Sequence, residues 1–133
     1  MIYALDTNII SYILRGDTDV KQRWLREEGN GNQVIIPLIV YYEVMRGLLS
    51  AGATTKLTAF EKVCKILKVN NLTAQDVEVA ARIYSERKKQ GRPIEDTDLL
   101  IAAQSMSNDY TLVTNNTKHF ENIEGLSVTN WKE

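Results

Sequence analysis

Carboxylates stand at the ends of apolar runs in three separate parts of the chain. Asp6 closes Ile2-Tyr3-Ala4-Leu5 and is followed at once by Thr7 and Asn8. Glu43 follows the run Pro37-Leu38-Ile39-Val40-Tyr41-Tyr42, and Asp96 and Asp98 stand just before Leu99-Leu100-Ile101-Ala102-Ala103. Carboxylates gathered from distant segments make a site for a hard divalent cation, which prefers oxygen ligands. A cation held in that way activates water against a phosphodiester.

Each acid also has a plainer use. Asp6 suits the N-cap of a following helix, with Thr7 or Asn8 as competitors for that place. Against capping alone stands its position: a carboxylate at the mouth of a buried strand is costly unless it is hydrogen-bonded or coordinating. On a helix starting near Leu38, the residues Leu38, Tyr41, Tyr42, Met45, Leu48 and Leu49 form one face. Glu43 then projects from the other side, where an exposed pair with Arg46 at i, i+3 also accounts for it. Asp96 and Asp98 together exceed what one cap requires, so Asp96 is read as cap or support and Asp98 as ligand; Glu95 faces solvent. Asn115 and Asn116 are either a polar turn after a strand or a side-chain carbonyl that orients water. The lone His119 is either structural or a contact to substrate.

The elements that must position these groups alternate between short β-rich runs and longer helical ones. Strands are expected at Ile2–Leu5, Gln33–Pro37, Ile66–Val69, Tyr110–Thr114 and Leu126–Thr129. Helices are expected at Asn8–Leu14, Asp19–Glu28, Leu38–Ala51, Thr55–Lys65, Asp76–Gln90 and Asp98–Asn108. Such alternation implies an α/β fold with a mostly parallel sheet flanked by helices. Ligands of open parallel sheets bind beyond the carboxyl ends of the strands. Asp6 and Thr114-Asn115-Asn116 both follow strands directly, and both fall there. No repeat or linker interrupts the pattern, so residues 1–133 are read as one domain.

Bulk properties narrow the field. The chain has 133 residues, enough for a substantial core without disulfides. One cysteine and one histidine exclude an internal disulfide and a conventional zinc site. Cys64 lies on a helical stripe with Leu57, Phe60 and Leu67 and reads as a small buried hydrophobe. No apolar run reaches the roughly 18 residues that would span a bilayer. The beginning of the sequence lacks a signal-peptide pattern, so a cytoplasmic location is expected. A net charge of −1 argues against a passive nucleic-acid binder. Yet Arg82, Arg87, Lys88, Lys89 and Arg92 crowd one segment leading to Asp96 and Asp98. That run is either a solvated helix face or a basic flank that receives a polyanion.

Four motifs in register resemble the PIN-domain ribonucleases, and within them the VapC toxins of type II toxin–antitoxin systems. They are Leu5-Asp6-Thr7-Asn8, Tyr42-Glu43-Val44-Met45-Arg46-Gly47, the stretch from Gly91 to Ala103 containing Glu95-Asp96-Thr97-Asp98, and Leu112-Val113-Thr114-Asn115-Asn116-Thr117-Lys118-His119-Phe120. The resemblance extends over essentially the whole chain, including the tail from Gly125 to Trp131. It implies a PIN-like fold of about five strands and an endoribonuclease dependent on Mg²⁺ or Mn²⁺. It also implies a homodimer held inactive by a cognate antitoxin protein. Asp6, Glu43 and Asp98 take the positions of the family's metal-binding acids, and Thr7, Asn8 and Thr114 those of its polar supports. One departure stands out. The family supplies a fourth acid after the last core strand or just before the Phe, where this chain has Asn115, Asn116 and His119. Asp96, or more remotely Glu121, is the available substitute, and the loss of one charge weakens occupancy by a second metal.

The expected reaction is hydrolysis of a phosphodiester in single-stranded or loop RNA, tRNA among the candidates. Asp6 and Asp98 bind the metal directly, and Glu43 completes the shell or holds the attacking water. Arg46, Arg92, Lys118 and His119 are the candidate phosphate contacts. The apolar helices at Ile9–Leu14 and Trp24–Leu25 are candidates for the antitoxin groove or the dimer contact. The alternative is a catalytically silent PIN-like module that binds RNA or protein. A flavodoxin-like phospho-acceptor ranks behind both, because the strands ending at Pro37 and Val69 carry no acceptor Asp. An operator-binding role lacks a basic DNA-reading helix.

Overall fold

The computed structural model describes residues 1–132; Glu133, the last residue of the expected domain, lies outside the described residues. Strand β1 (Ile2–Leu5) buries Tyr3, Ala4 and Leu5 in succession, and β2 (Gln33–Pro37) buries Val34 to Pro37 in the same way. Continuous burial without alternation is the mark of parallel strands covered on both faces. With β3 (Lys68–Asn70), β4 (Thr111–Val113) and β5 (Ser127–Thr129) they form one five-stranded sheet in the order β3-β2-β1-β4-β5, every pairing parallel. Ala4 sits opposite Ile35 on one side and Leu112 on the other. The expected α/β class with a mostly parallel sheet is therefore the fold observed.

Six helices, α1 (Thr7–Leu14), α2 (Thr18–Gly29), α3 (Leu38–Ala51), α4 (Thr54–Ile66), α5 (Ala74–Lys89) and α6 (Asp96–Ser107), supply the crossovers. Their ends follow local chemistry. The α5 terminus carries a reciprocal capping box, Thr73 Oγ1 accepting from Asp76 N–H while Asp76 Oδ2 accepts from Thr73 N–H. Helix α3 begins directly after Pro37 and stops at Gly52, whose φ of +62° only glycine adopts cheaply.

Several boundaries and faces differ from expectation. Strand β3 starts at Lys68 because α4 persists to Ile66 and Leu67 turns its side chain into the core. On α3 the buried residues are Val40 and Val44, whereas Tyr42 and Leu49 are 54% and 61% exposed. The apolar arc of that helix is wider than the stripe it buries, and Tyr42 is covered instead by the Arg46 guanidinium, 5.1 Å from its ring centre. Ile9, Ile10 and Ile13 are core residues, so half of the Ile9–Leu14 segment is unavailable to a partner, while Ser11, Tyr12 and Leu14 line a surface groove. Of the second candidate segment, Trp24 is buried and Leu25 is exposed. Cys64 is half-buried and packs against the core, where burial pushes its thiol pKa up.

Strand order places the site. From β1 the chain winds outward to β2 and β3, then returns to the other side of β1 for β4 and β5. The order reverses between β1 and β4, and a crevice opens beyond the carboxyl ends of such a pair. Asp6 and Thr114 are the first residues past those two ends.

Candidate active site

Asp6 is fixed from four directions. Its backbone N–H donates to Val113 O at 2.9 Å, which carries the sheet ladder one residue beyond β1. Its Oδ1 accepts from Thr7 N–H at 2.8 Å, so the residue does cap α1. Its Oδ2 accepts from the hydroxyl of fully buried Thr114 at 2.8 Å and from Asn8 Nδ2 at 3.4 Å. Capping and site-building are thus one placement. Thr114 Oγ1 in turn accepts from Asn116 N–H at 3.0 Å and Asn8 Nδ2 at 3.3 Å, and Asn8 Oδ1 accepts from Asn115 N–H at 2.9 Å. These bonds lock the end of β1, the start of α1 and the turn after β4 into one polar unit.

Glu43 reaches the same place from α3. Its Oε1 accepts from Thr7 Oγ1 at 2.8 Å, and its Oε2 lies 3.8 Å from the Arg46 guanidinium. The i, i+3 pair considered from the sequence exists, but it is loose and leaves Glu43 turned toward Thr7. Asp98 arrives from the first turn of α6, with Oδ2 3.2 Å from His119 Nδ1. Asn116 Nδ2 lies 3.0 Å from the same nitrogen. A ring nitrogen donates or accepts but does not do both, so its bond to Asp98 and its acceptance from Asn116 are alternatives set by the tautomer.

Asp6, Glu43 and Asp98 line one open cleft of about 390 Å³, with Thr7, Asn8, Thr97, Asn116 and His119 around it. Burial pushes the Asp6 pKa up, and the charges of Asp98 and Glu43 push it the same way; the bonds from Thr114 and Thr7 oppose the rise. A buried carboxylate that feels two others is a group a cation would relieve. Among the described residues no three Asp, Glu, His or Cys side chains converge as a ready-made cage. The donor set still fits a hard cation, which commonly takes one or two carboxylates and keeps several waters. An all-oxygen set of acids does not suit softer metals.

Some expected residues stand elsewhere. Asp96 is exposed, and as the first residue of α6 it follows Glu95 at the cap position. It lines a separate hollow beside Val77, Tyr84 and Leu100, away from the three acids, because consecutive helical residues point about 100° apart. It replaces no fourth acid. Glu121 offers its backbone carbonyl to Arg87. The Asn115 side chain turns outward to Tyr12 Oη and Asn130 Nδ2. Arg92 is exposed and bonds Arg87 through its carbonyl, and Arg46 lies beside Glu43 without lining the cleft. Lys118 and His119 face a smaller cavity that also holds Asp98. The sequence set Glu95 in solvent and left Thr97 and Ser11 out of the site, yet all three line the cleft. Ser11 was legible as the residue one helical turn after Thr7, and the Glu95 side chain is exposed at the rim.

Comparison with known proteins bears on the same geometry. The model of the PIN domain family matches residues 3–126. Ribonuclease VapC1 of Haemophilus influenzae strain R2866 is 30% identical over 132 residues, covering 98% of each chain. The tRNA(fMet)-specific endonuclease VapC of Shigella flexneri is 29% identical, covering 97% of each. Among solved structures, VapBC2 from Rickettsia felis bound to a DNA fragment from its promoter superimposes with a TM-score of 0.88 at 29% identity, over 98% of this chain and 99% of the other.

Proposed function

The chain belongs to the PIN domain family, and from that premise we propose that it is a metal-dependent endoribonuclease, the toxin of a type II toxin–antitoxin pair. The observation that carries the reading is the placement of Asp6, Glu43 and Asp98, from three elements, on one cleft at the reversal point of the sheet. The ribonuclease names of its relatives support the same reading.

Asp6 and Asp98 would hold Mg²⁺ or Mn²⁺, with Glu43 completing the set. The bound ion would supply an activated water and neutralise charge building at phosphorus. The protein's own part is positioning. Thr114 and Asn8 hold the Asp6 carboxylate in one orientation, and Thr7 holds Glu43 by a hydroxyl, leaving Glu43 Oε2, loosely paired with Arg46, to orient a water. His119 restrains Asp98 from the side where the family carries its fourth acid. The substrate of this reading is single-stranded or loop RNA, whose unstacked bases are the usual object of sequence-specific recognition. The relative named for tRNA(fMet) makes tRNA the first substrate to try.

An antitoxin would act by covering the cleft. A neighbouring groove of about 470 Å³, between α1, α3 and α4, shares Thr7, Asn8 and Glu43 with it and adds Tyr12, Leu14, Arg15 and Leu48. A partner segment laid there closes one side of the acid site. The solved VapBC complex supports such a partner. Homodimerisation and action in the cytoplasm complete the reading; no helix among the described residues is long and apolar enough to cross a membrane.

The direct test is cleavage of a tRNA pool by antitoxin-free protein with Mg²⁺, Mn²⁺ or EDTA, beside an Asp98→Asn variant. Discrete cuts that require both the metal and Asp98 are expected. Equal cutting by the variant removes Asp98 from the site. An absence of cutting together with an absence of Mg²⁺ binding by calorimetry transfers the assignment to a silent PIN-like module, which the missing fourth acid favours.

A further inference from the structure

The basic segment between α5 and α6 is not uniformly solvated. Arg82 pairs with Glu78 on the outer face of α5 at 2.9 Å, and Lys88 and Lys89 are exposed. Arg87 alone is built into the fold. Its Nε donates to Arg92 O at 2.9 Å and one terminal nitrogen donates to Glu121 O at 3.0 Å. Those carbonyls belong to two different loops, one before α6 and one after the short 3-10 turn Thr117–Phe120. Two of the five guanidinium donors are therefore committed, and three carry no bond within the protein among the described residues. A guanidinium held this way has already lost its rotamer freedom before any ligand arrives.

Arg87 lines a cavity of about 240 Å³ together with Lys118 and His119, and this cavity shares Glu95, Asp98 and His119 with the acid cleft. The two hollows meet at one wall. No Phe, Tyr or Trp lines the smaller one among the described residues. Its volume also falls below the roughly 300 Å³ at which pockets for whole organic ligands begin. A fixed Arg fork beside an exposed Lys is a phosphate arrangement.

We propose that Arg87 and Lys118 form a second phosphate subsite, which seats the phosphodiester adjoining the one that is cut. The inference rests on the ribonuclease reading above and deepens it. The acid cleft by itself repels RNA, and an anchor beside it supplies attraction where the strand must enter. Glu95, at the shared wall, limits that attraction to a phosphate reaching past it toward Arg87. Because the contact is made before and during the reaction alike, it lowers KM and leaves kcat nearly unchanged.

The test is equilibrium binding of a labelled single-stranded RNA, taken from the strongest cut site in the tRNA pool, to protein in an Asp6→Asn background with EDTA present. Binding is followed against salt for Arg87→Gln, Lys118→Ala and, as a control on the same helix outside the cavity, Lys88→Ala. Each lost phosphate contact lowers the magnitude of the log–log salt slope by about 0.7 on single strands. That reduction is expected for Arg87→Gln and Lys118→Ala and not for Lys88→Ala. In the cleavage-competent protein, Lys118→Ala is expected to raise KM several-fold with kcat within about twofold. Thermal melting of each variant separates loss of fold from loss of contact; the Lys118 side chain is exposed and makes no hydrogen bond or ion pair among the described residues. Unchanged slopes and KM in a protein that still cuts RNA overturn the subsite and spare the nuclease. A slope lowered as much by Lys88→Ala overturns it in favour of diffuse attraction. A tRNA pool that wild type neither binds nor cuts removes the functional reading and the subsite with it.

Discussion

The Asp6 carboxylate carries a cost that its hydrogen bonds only partly offset. Burial is the largest cause of its raised pKa, and the charges of Asp98 and Glu43 add to it. A carboxyl group whose folded pKa lies above its ordinary 3.8 favours folding in its protonated form. That contribution is complete below 3.8 and is lost as pH rises through the folded value, so at neutral pH the charge opposes folding. Asp6→Asn, which can still accept from Thr7 N–H, is therefore expected to melt no lower than wild type in metal-free neutral buffer while losing cleavage. Added Mn²⁺ is expected to raise the melting temperature of wild type and not of the variant. A melt well below wild type would show that the acceptor at Oδ2, which takes the bonds from Thr114 and Asn8, outweighs the relief of charge. Thr114 gives a second separation. Thr114→Ser keeps the hydroxyl and gives up one methyl, about 0.8 kcal/mol. Thr114→Val strips a bond from Asp6 and leaves the Asn116 N–H without its acceptor, at roughly 1–3 kcal/mol. Cleavage rate should survive in the serine variant and fall in the valine variant; equal rates would remove Thr114 from the positioning of Asp6.

Helix α6 delivers Asp98, and its anchorage is a buried amide. Gln104 is fully buried, with Nε2 donating to Asn70 O at 3.0 Å and Asn71 O at 3.2 Å. One helix is thereby tied to the end of β3 and the loop that leads to α5. Asn108 Nδ2 adds a bond to Asp76 Oδ1 at 3.1 Å, joining the far end of α6 to the capping box of α5. Gln104→Leu leaves the Asn70 and Asn71 carbonyls without their donor but also removes a buried Oε1 that has no partner among the described residues, and is expected to destabilise by about 1–2 kcal/mol. Urea denaturation measures it, and a loss under about 0.5 kcal/mol would mean that water replaces the amide. From the chain alone Gln104 reads as an ordinary polar residue near the end of a helix. Its partners lie more than thirty residues away, so only the packed fold shows what it holds.

Across the whole molecule, the end of the chain closes against its beginning. Trp131 is buried edge-on to Tyr3 of β1, with ring centres 5.4 Å apart. Lys132 Nζ lies 2.7 Å from Asp17 Oδ2 and 3.7 Å from Asp19 Oδ2. The bond to Lys132 holds the Asp17 pKa below 3.8, and the bond to Asp17 holds the Lys132 pKa above 10.5. A depressed carboxyl contributes stability above 3.8 and loses it as pH falls through its folded value; a raised ammonium contributes below 10.5 and loses it as pH rises through its own. Asp17→Asn, which still caps α2 through its side-chain oxygen, should lower the melting temperature by the same small amount at every pH between those values. The difference from wild type should close in stronger acid. A difference unchanged there would assign the effect to the cap and not to the ion pair.

Local chemistry was written in the chain. Continuous apolar runs stopped by turn residues marked the strands, helical spacing marked the helices between them, and their alternation implied parallel pairing, since parallel strands need a long crossover. The acids that close those runs were legible for the same reason, because a carboxylate at the end of a buried segment demands a purpose. Direction around a helix was less legible. Whether Tyr42 faces the core, or Asp96 or Glu95 the cleft, depends on how each helix is rotated against neighbours distant in sequence. Packing fixes that rotation, and local preference does not. Arg87 illustrates the limit best. In the sequence it is one cation in a basic run, and two carbonyls from separate loops make it the one that is held in place.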